Sequence, residues 1–396
     1  MNRNVWMLFL CQALNGAAGI SQALMSALVG YALASDKSWA TVPYALQMAG
    51  TMAASIPAGI IFSKLGRRAG FLTGTASTLL GIAILFYAVL TANFALFCVG
   101  SLPMGIGFGI GQHYRFAASE VAAPTARAKA IALVMAGGVL SALLGPEMVK
   151  HSKSLLDPVL FLGTYAVTAL LPLISAVLLL IVDLPPAPPP ARVPTPISAI
   201  LARPAFITSA VAGMVGYGAM NLVMTTTPLQ MMACGFGVDA SADVIRAHAF
   251  CMFAPGFFTG PLIQRFGVHR IIVTGGLLNV ICALMAFGAP SFWNFFVALS
   301  FLGLGWNFMF VGATTLLATA HAPAERVKAQ AANDLIVFGT VTVTALSSGA
   351  LQTLGGWAVV NSAIIPPVVV ACGLVLWHRM KLARLAATVG ASPLLS

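Results

Sequence analysis

Two apolar stretches of the chain carry soft donor atoms at helical spacing. One reads Met220-Asn-Leu-Val-Met224, the other His248-Ala-Phe-Cys251-Met252. Residues four apart share a helix face, so Met220 pairs with Met224 and His248 with Met252. Thioethers and a neutral imidazole suit Cu(I) far better than Mg, Ca or Mn, which take oxygen ligands. A neutral donor set also holds a monovalent ion without a deep electrostatic trap. Cys251 is a possible third donor on the second stretch. Met231 and Cys234, further along the first, could relay an ion toward these four. A plainer reading stands beside this one. The chain has 17 methionines, Met48 and Met52 form another pair at the same spacing, and Met commonly fills irregular apolar gaps. His248 is either an intramembrane ionisable group, which is a functional candidate by default, or an interfacial histidine.

The elements that must position these residues follow from composition. Of 396 residues, 59% are hydrophobic and 7% charged, against about 25% charged in soluble domains. The mean hydropathy is +0.96. Such a chain must face lipid or other buried helices over most of its length. Its apolar runs are continuous and about one bilayer crossing long. They lack the alternation of a transmembrane barrel, and helices satisfy their own backbone in hydrocarbon. Twelve membrane helices are expected, near 5–33, 40–62, 69–91, 93–117, 128–149, 157–182, 205–231, 244–263, 270–289, 292–318, 329–352 and 356–378. The first run is too long for the apolar core of a cleaved signal peptide. The six cysteines lie mostly inside these runs and read as small buried hydrophobes, not as a disulfide framework.

The net charge of +11 does not indicate nucleic acid, because the basic residues sit in short turns between the runs. With the N-terminus inside, 16 of the 20 Lys and Arg fall on the inner side; only Lys37, Lys150, Lys153 and Arg246 fall outside. That bias places both termini in the cytoplasm and the protein in a bacterial inner membrane. Pro185, Pro186, Pro188, Pro189, Pro190, Pro194 and Pro196 give an extended linker at 183–204. It separates a six-helix bundle at 1–182 from a second at 205–380, followed by a tail at 381–396.

The halves repeat. Gly59-Ile-Ile-Phe-Ser63-Lys64-Leu-Gly66-Arg67-Arg68 matches Gly260-Pro-Leu-Ile-Gln264-Arg265-Phe-Gly267-Val-His269-Arg270, and the turn from Ala123 to Ala130 matches Ala322 to Ala329. Parallel repeats put a substrate site near the midplane between halves. On these loops the whole chain resembles the major facilitator superfamily. Ser63 and Gln264 replace the usual acid of its loop signature, which leaves the family's acid-to-helix latch in question. The Met-x-x-x-Met and His-x-x-x-Met pair is similar to that of the CcoA-type copper importers, which supply cytochrome oxidase assembly. By that resemblance Met220, Met224, His248 and Met252 are copper ligands, and Cys234 and Cys251 are further candidates. Relatives in the same branch resemble riboflavin transporters.

Other polar groups read as architecture. Arg115 and Glu120 at the inner end of the fourth helix, with Asp334 inside the eleventh, read as a charge network closing an inner gate or as interfacial ion pairs, in preference to a proton relay. Gly105, Gly107, Gly109 and Gly111 allow close helix contact and are not a nucleotide loop. No ATPase motif is present, so transport is secondary or facilitated, and the chain is not an enzyme. The leading expectation is copper import by alternating access in a monomer, with copper as cargo and no tightly bound cofactor. The alternative is a small organic solute such as riboflavin or a drug, held by Tyr217, Asn221, Trp306 and Asn307. A non-transporting sensor or oxidase-assembly partner is a third reading.

Overall fold

A computed structural model of the chain describes residues 3–123, 126–184, 195–322 and 325–390. The prolines expected to form the linker, Pro196 excepted, lie outside the described residues, as do Pro124, Pro323, residues 391–396 of the tail and the side chain of Ser63. The described residues are all-helical, with no strand: α1 (Arg3–Leu33), α2 (Val42–Leu90), α3 (Phe94–Gly111), α4 (Tyr114–Val121), α5 (Arg127–Ser152), α6 (Leu162–Thr168), α7 (Leu170–Ile181), α8 (Ile197–Leu201), α9 (Pro204–Ala233), α10 (Val238–Phe253), α11 (Gly256–Phe266), α12 (Val268–Met285), α13 (Phe292–Leu317) and α14 (Arg326–Gly390). Among them, nine helical stretches are long and apolar enough to cross a membrane.

Local chemistry sets the breaks. Asn93 and Ser291 cap α3 and α13 by accepting from the amides of Leu96 (2.9 Å) and Asn294 (3.2 Å). Pro204 opens α9, where its missing N–H costs nothing. The turn expected around Gly59–Arg68 is tighter than the sequence suggests. Helix continues through Lys64 and the break falls on Gly66 alone (φ 83°, ψ 165°). Gly267, about 200 residues later, ends α11 with nearly the same backbone (φ 86°, ψ 145°). Only glycine enters that region cheaply, so the repeated glycine of the two loops has one physical cause. Gly356 (φ 70°) divides α14 in the same manner.

Helices α1–α7 bury one another, as do α9–α14. The largest apolar cluster joins α9, α10, α12, α13 and α14, with Val223, Ile272, Leu299 and Val368 at its centre. A second, around Phe97 and Tyr165, also takes in Leu229 of α9 and Ala242 and Ile245 of α10, and a third, around Phe71 and Tyr114, lies within the first half. A fourth crosses between halves, bringing Ala23, Tyr44, Ala45 and Met48 against Val337, Val341 and Ala345. The seam therefore runs between α2 and α14, and between α5 and α10.

Candidate functional site

The residues expected to hold a metal divide between two environments. His248 is fully buried on the α10 face that meets α13. Its Nδ1 lies 2.8 Å from the Leu299 carbonyl. A carbonyl only accepts, so Nδ1 carries the proton and Nε2 presents a lone pair. That Nε2 is buried without a partner. Gly303 on α13 allows this approach, since a side chain there would overlap the His248 carbonyl. Met252, one turn on, is buried and its carbonyl accepts from Asn307 Nδ2 at 2.7 Å. Met220 and Met231 are buried in the same apolar cluster, and Cys234 packs against it half-buried. Met224 is half-buried and borders the inter-half cluster as well. Cys251 is half-buried beside Gly303. Cys234 accepts from Gln230 Nε2 at 3.2 Å.

A second constellation is aromatic. Tyr217 on α9 meets Trp306 (5.4 Å between ring centroids) and Phe310 (5.3 Å) on α13, and Phe338 (5.8 Å) on α14, each edge to face. Trp306 stacks on Phe310 at 5.1 Å and 14° and meets Phe253 of α10 at 6.0 Å. Trp306 is buried, with its indole N–H unpartnered. Tyr217, Phe253, Phe310 and Phe338 remain half-buried. Tyr217 and Phe310 pack against the inter-half cluster with Met214 and Met224. The sequence pointed to Tyr217 and Trp306; it gave no sign of Phe253, Phe310 or Phe338, because 24 phenylalanines offer no contrast. The two asparagines expected beside them bind helices instead. Asn307 donates to Met252 and accepts from Thr259 Oγ1 at 2.5 Å. Asn221 donates to the Val341 carbonyl (3.1 Å) and Thr344 (3.2 Å) of α14, leaving its buried Oδ1 unpartnered.

The charged residues sort by end of the molecule. At the end bearing Gly66, Arg67 makes a two-pronged pair with Glu120 of α4, with Nε to Oε2 at 3.0 Å, and Arg68 donates to the Val182 carbonyl at 2.8 Å. The loop is thus latched through its arginines although Ser63 replaces the usual acid. Glu120, expected in a network with Arg115 and Asp334, is bound to Arg67 instead. Asp334 of α14 is half-buried and is hydrogen-bonded by Asn333 at 3.4 Å. In the second half the latch differs: Val268 stands where Arg67 does, Arg265 is exposed like its first-half counterpart Lys64, and His269 meets His378 at 3.0 Å. At this end too, Arg203 clamps Glu325. That arginine, the Ala322 N–H and Thr195 hold the Glu325 carboxyl down to about 2.

The opposite end carries a strip of ion pairs that the sequence reading missed. Lys150 of α5 meets Asp243 of α10 at 3.0 Å; Arg246 of α10 meets Glu147 of α5 and also Asp243 at 2.8 Å; Lys153 pairs with Asp239. Three of the four cations that break the charge bias are therefore members of this strip. The nearby Gly349 amide donates to Thr41 Oγ1 at 3.0 Å, also between halves. This end of the seam is closed.

Comparison with known proteins agrees with the architecture. Residues 8–253 match the family model described as Major Facilitator Superfamily. A riboflavin transporter, RfnT, of Brucella anthropi is 37% identical over 92% of both chains. Two transporters of Bacillus subtilis described as uncharacterized and of the same type, YddS and YdeG, are 28% and 26% identical, over 88% and 92% of this chain and 83% and 87% of theirs. A family model matched over residues 8–253 and a relative matched over 92% of both chains make this a multi-pass membrane transporter, not an enzyme; the chain belongs to the major facilitator superfamily.

Proposed function

We propose that this transporter carries a planar heteroaromatic solute of the riboflavin kind, by alternating access along the seam between two six-helix bundles. The supporting observation is the aromatic group of Tyr217, Trp306, Phe310 and Phe338, gathered from three helices at the seam with an unpartnered indole donor. Flat rings offer edges and faces for a flat ligand, and an orphaned N–H gives it direction. The extended likeness to a protein named as a riboflavin transporter supports the same cargo. The bundles are taken as 1–182 and 205–380, with the linker at 183–204 and the tail at 381–396. Breaks at Gly66 and Gly356 divide α2 and α14 into two crossings each, and α10 with α11 makes one crossing across the break at Ala254–Pro255, which brings the crossings to twelve, with both termini cytoplasmic in an inner membrane. The ion strip then lies on the outer side.

Uptake of labelled riboflavin by cells carrying or lacking this protein tests the reading. Trp306→Ala should remove the difference at unchanged protein level. Equal uptake with and without the wild-type protein would sink the cargo assignment.

Copper import is the second reading, kept for one observation. His248 Nε2 is an orphaned buried lone pair in the same core as Met220 and Met252, and its Nδ1 is fixed by a carbonyl, as ligating histidines usually are. The comparisons favour the organic solute. Replacing Met224 and His248 together by Ala should leave copper accumulation unchanged if the first reading holds.

A further inference from the structure

The two halves use the cations around their repeated glycine loops differently. In the first half they are taken up within the fold: Arg67 binds Glu120, and Arg68 donates to the Val182 carbonyl. The second half lacks both members of that pair. Val268 replaces Arg67, and Thr319 stands where the repeat places Glu120. In their stead come Arg265, Arg270, Arg379, Lys381 and Arg384, all exposed. None of these five forms a salt bridge among the described residues. Their own helices cannot supply an acid, because α11, α12, α13 and α14 beyond Asp334 contain no Asp or Glu.

The fold gathers these cations. His269 of α12 lies 3.0 Å from His378 of α14, which sets the loop bearing Arg265 and Arg270 beside the end of α14. At that contact, Trp377, Met380, Lys381 and Arg384 fall at helical spacing on one face. They line a surface cavity of about 220 Å³. Lys381 Nζ lies 5.3 Å from the centre of the Trp377 ring. Trp377 and Met380 are each about half exposed. The face therefore changes character along the helix, with an apolar floor first and two cations one turn further on. Tryptophan at the end of a membrane helix sits at headgroup level, and Lys and Arg reach outward from there on apolar stems. We propose that this face of α14 binds an anionic phospholipid, its phosphodiester held by Lys381 and Arg384 and its chains lying along Trp377 and Met380. Basic surfaces beside the end of a membrane helix attract anionic headgroups, and guanidinium groups suit phosphate oxygens. A soluble phosphate or an acidic peptide would satisfy the cations but leave the apolar floor uncovered. The lipid gives the second half, from the bilayer, the negative partner that Glu120 gives the first half from within.

The test reads Trp377 in the full chain, reconstituted in phosphatidylcholine bilayers, and needs no cargo. A fixed fraction of the lipid carries brominated chains, on either phosphatidylglycerol or phosphatidylcholine. The Trp377 signal is the difference between wild type and Trp377→Phe, normalised to quenching in wholly brominated bilayers. Brominated phosphatidylglycerol should quench as though enriched about fivefold or more, the effect of one cation at a membrane surface. Lys381→Gln with Arg384→Gln should bring that ratio to about one. Arg3→Gln with Lys64→Gln removes two exposed cations from the first half instead and should leave the ratio unchanged. Equal quenching by the two lipids in wild type, or a preference that survives in the α14 variant, overturns the proposal. A loss as large in the first-half variant also overturns it, by showing a general surface attraction. Abolition of the preference by inorganic phosphate at matched ionic strength does so too, by making a soluble anion the ligand.

Discussion

Arg246→Ala should open the end of the seam that the ion strip closes. Arg246 touches both Glu147 and Asp243, and its side chain is 37% exposed against 34% and 27% for the two acids. Pairs this wet contribute roughly 0.2–1 kcal/mol each. Lys150 remains at 3.0 Å from Asp243 and holds part of the strip. The loss is therefore about 1 kcal/mol, which raises the population open at this end about fivefold. Thr41 is a suitable reporter, being fully buried and bonded across the seam to Gly349. With Cys98, Cys234, Cys251 and Cys372 changed to Ser, Thr41→Cys should react with a membrane-impermeant maleimide about fivefold faster when Arg246 is Ala. The gain should shrink at 1 M salt, where the screening length falls to about 3 Å. Exchanging the pair, Glu147→Arg with Arg246→Glu, should restore slow labelling. Labelling as slow in Arg246→Ala as in the parent would refute the idea that the strip holds this end shut.

Gly66→Ala and Gly267→Ala should each lower thermal stability by about 1–3 kcal/mol, because both backbones lie where a Cβ is strained; a melting temperature unmoved in either variant would contradict this. Tyr217→Ala should weaken riboflavin binding about tenfold, read by quenching of tryptophan fluorescence, since one edge-to-face contact and its buried area are lost. Glu325 is held near 2 against an ordinary 4.5, so its contribution to stability is complete above pH 4.5 and fades as pH falls toward 2. Thermal unfolding of wild type should therefore approach that of Glu325→Gln over that window; a constant gap between the two down to pH 2 would contradict the assignment.

Hydropathy made the helices legible, and the loop glycines announced their own backbone, because no other residue is comfortable at the φ of Gly66 and Gly267. Pairings remote in the chain were not legible. Nothing in the sequence ties Arg67 to Glu120, which was expected beside Arg115 and Asp334; the packing of α4 against the Gly66 loop sets that pair. Helical spacing correctly put His248 and Met252 on one face but could not say that the face meets α13 and the Leu299 carbonyl. The polar character of Asn307 was visible; that both ends of its amide serve helix packing was not. The outer cations looked like exceptions to a bias, while their acidic partners sit about 90 residues away in sequence.

The most direct measurement is parallel uptake of labelled riboflavin and labelled copper by cells producing wild type, Trp306→Ala, or no protein. Riboflavin entry that rises with wild type alone, while copper entry is the same in all three, is the expected result. Copper entry that rises with the protein while riboflavin entry does not would contradict the account.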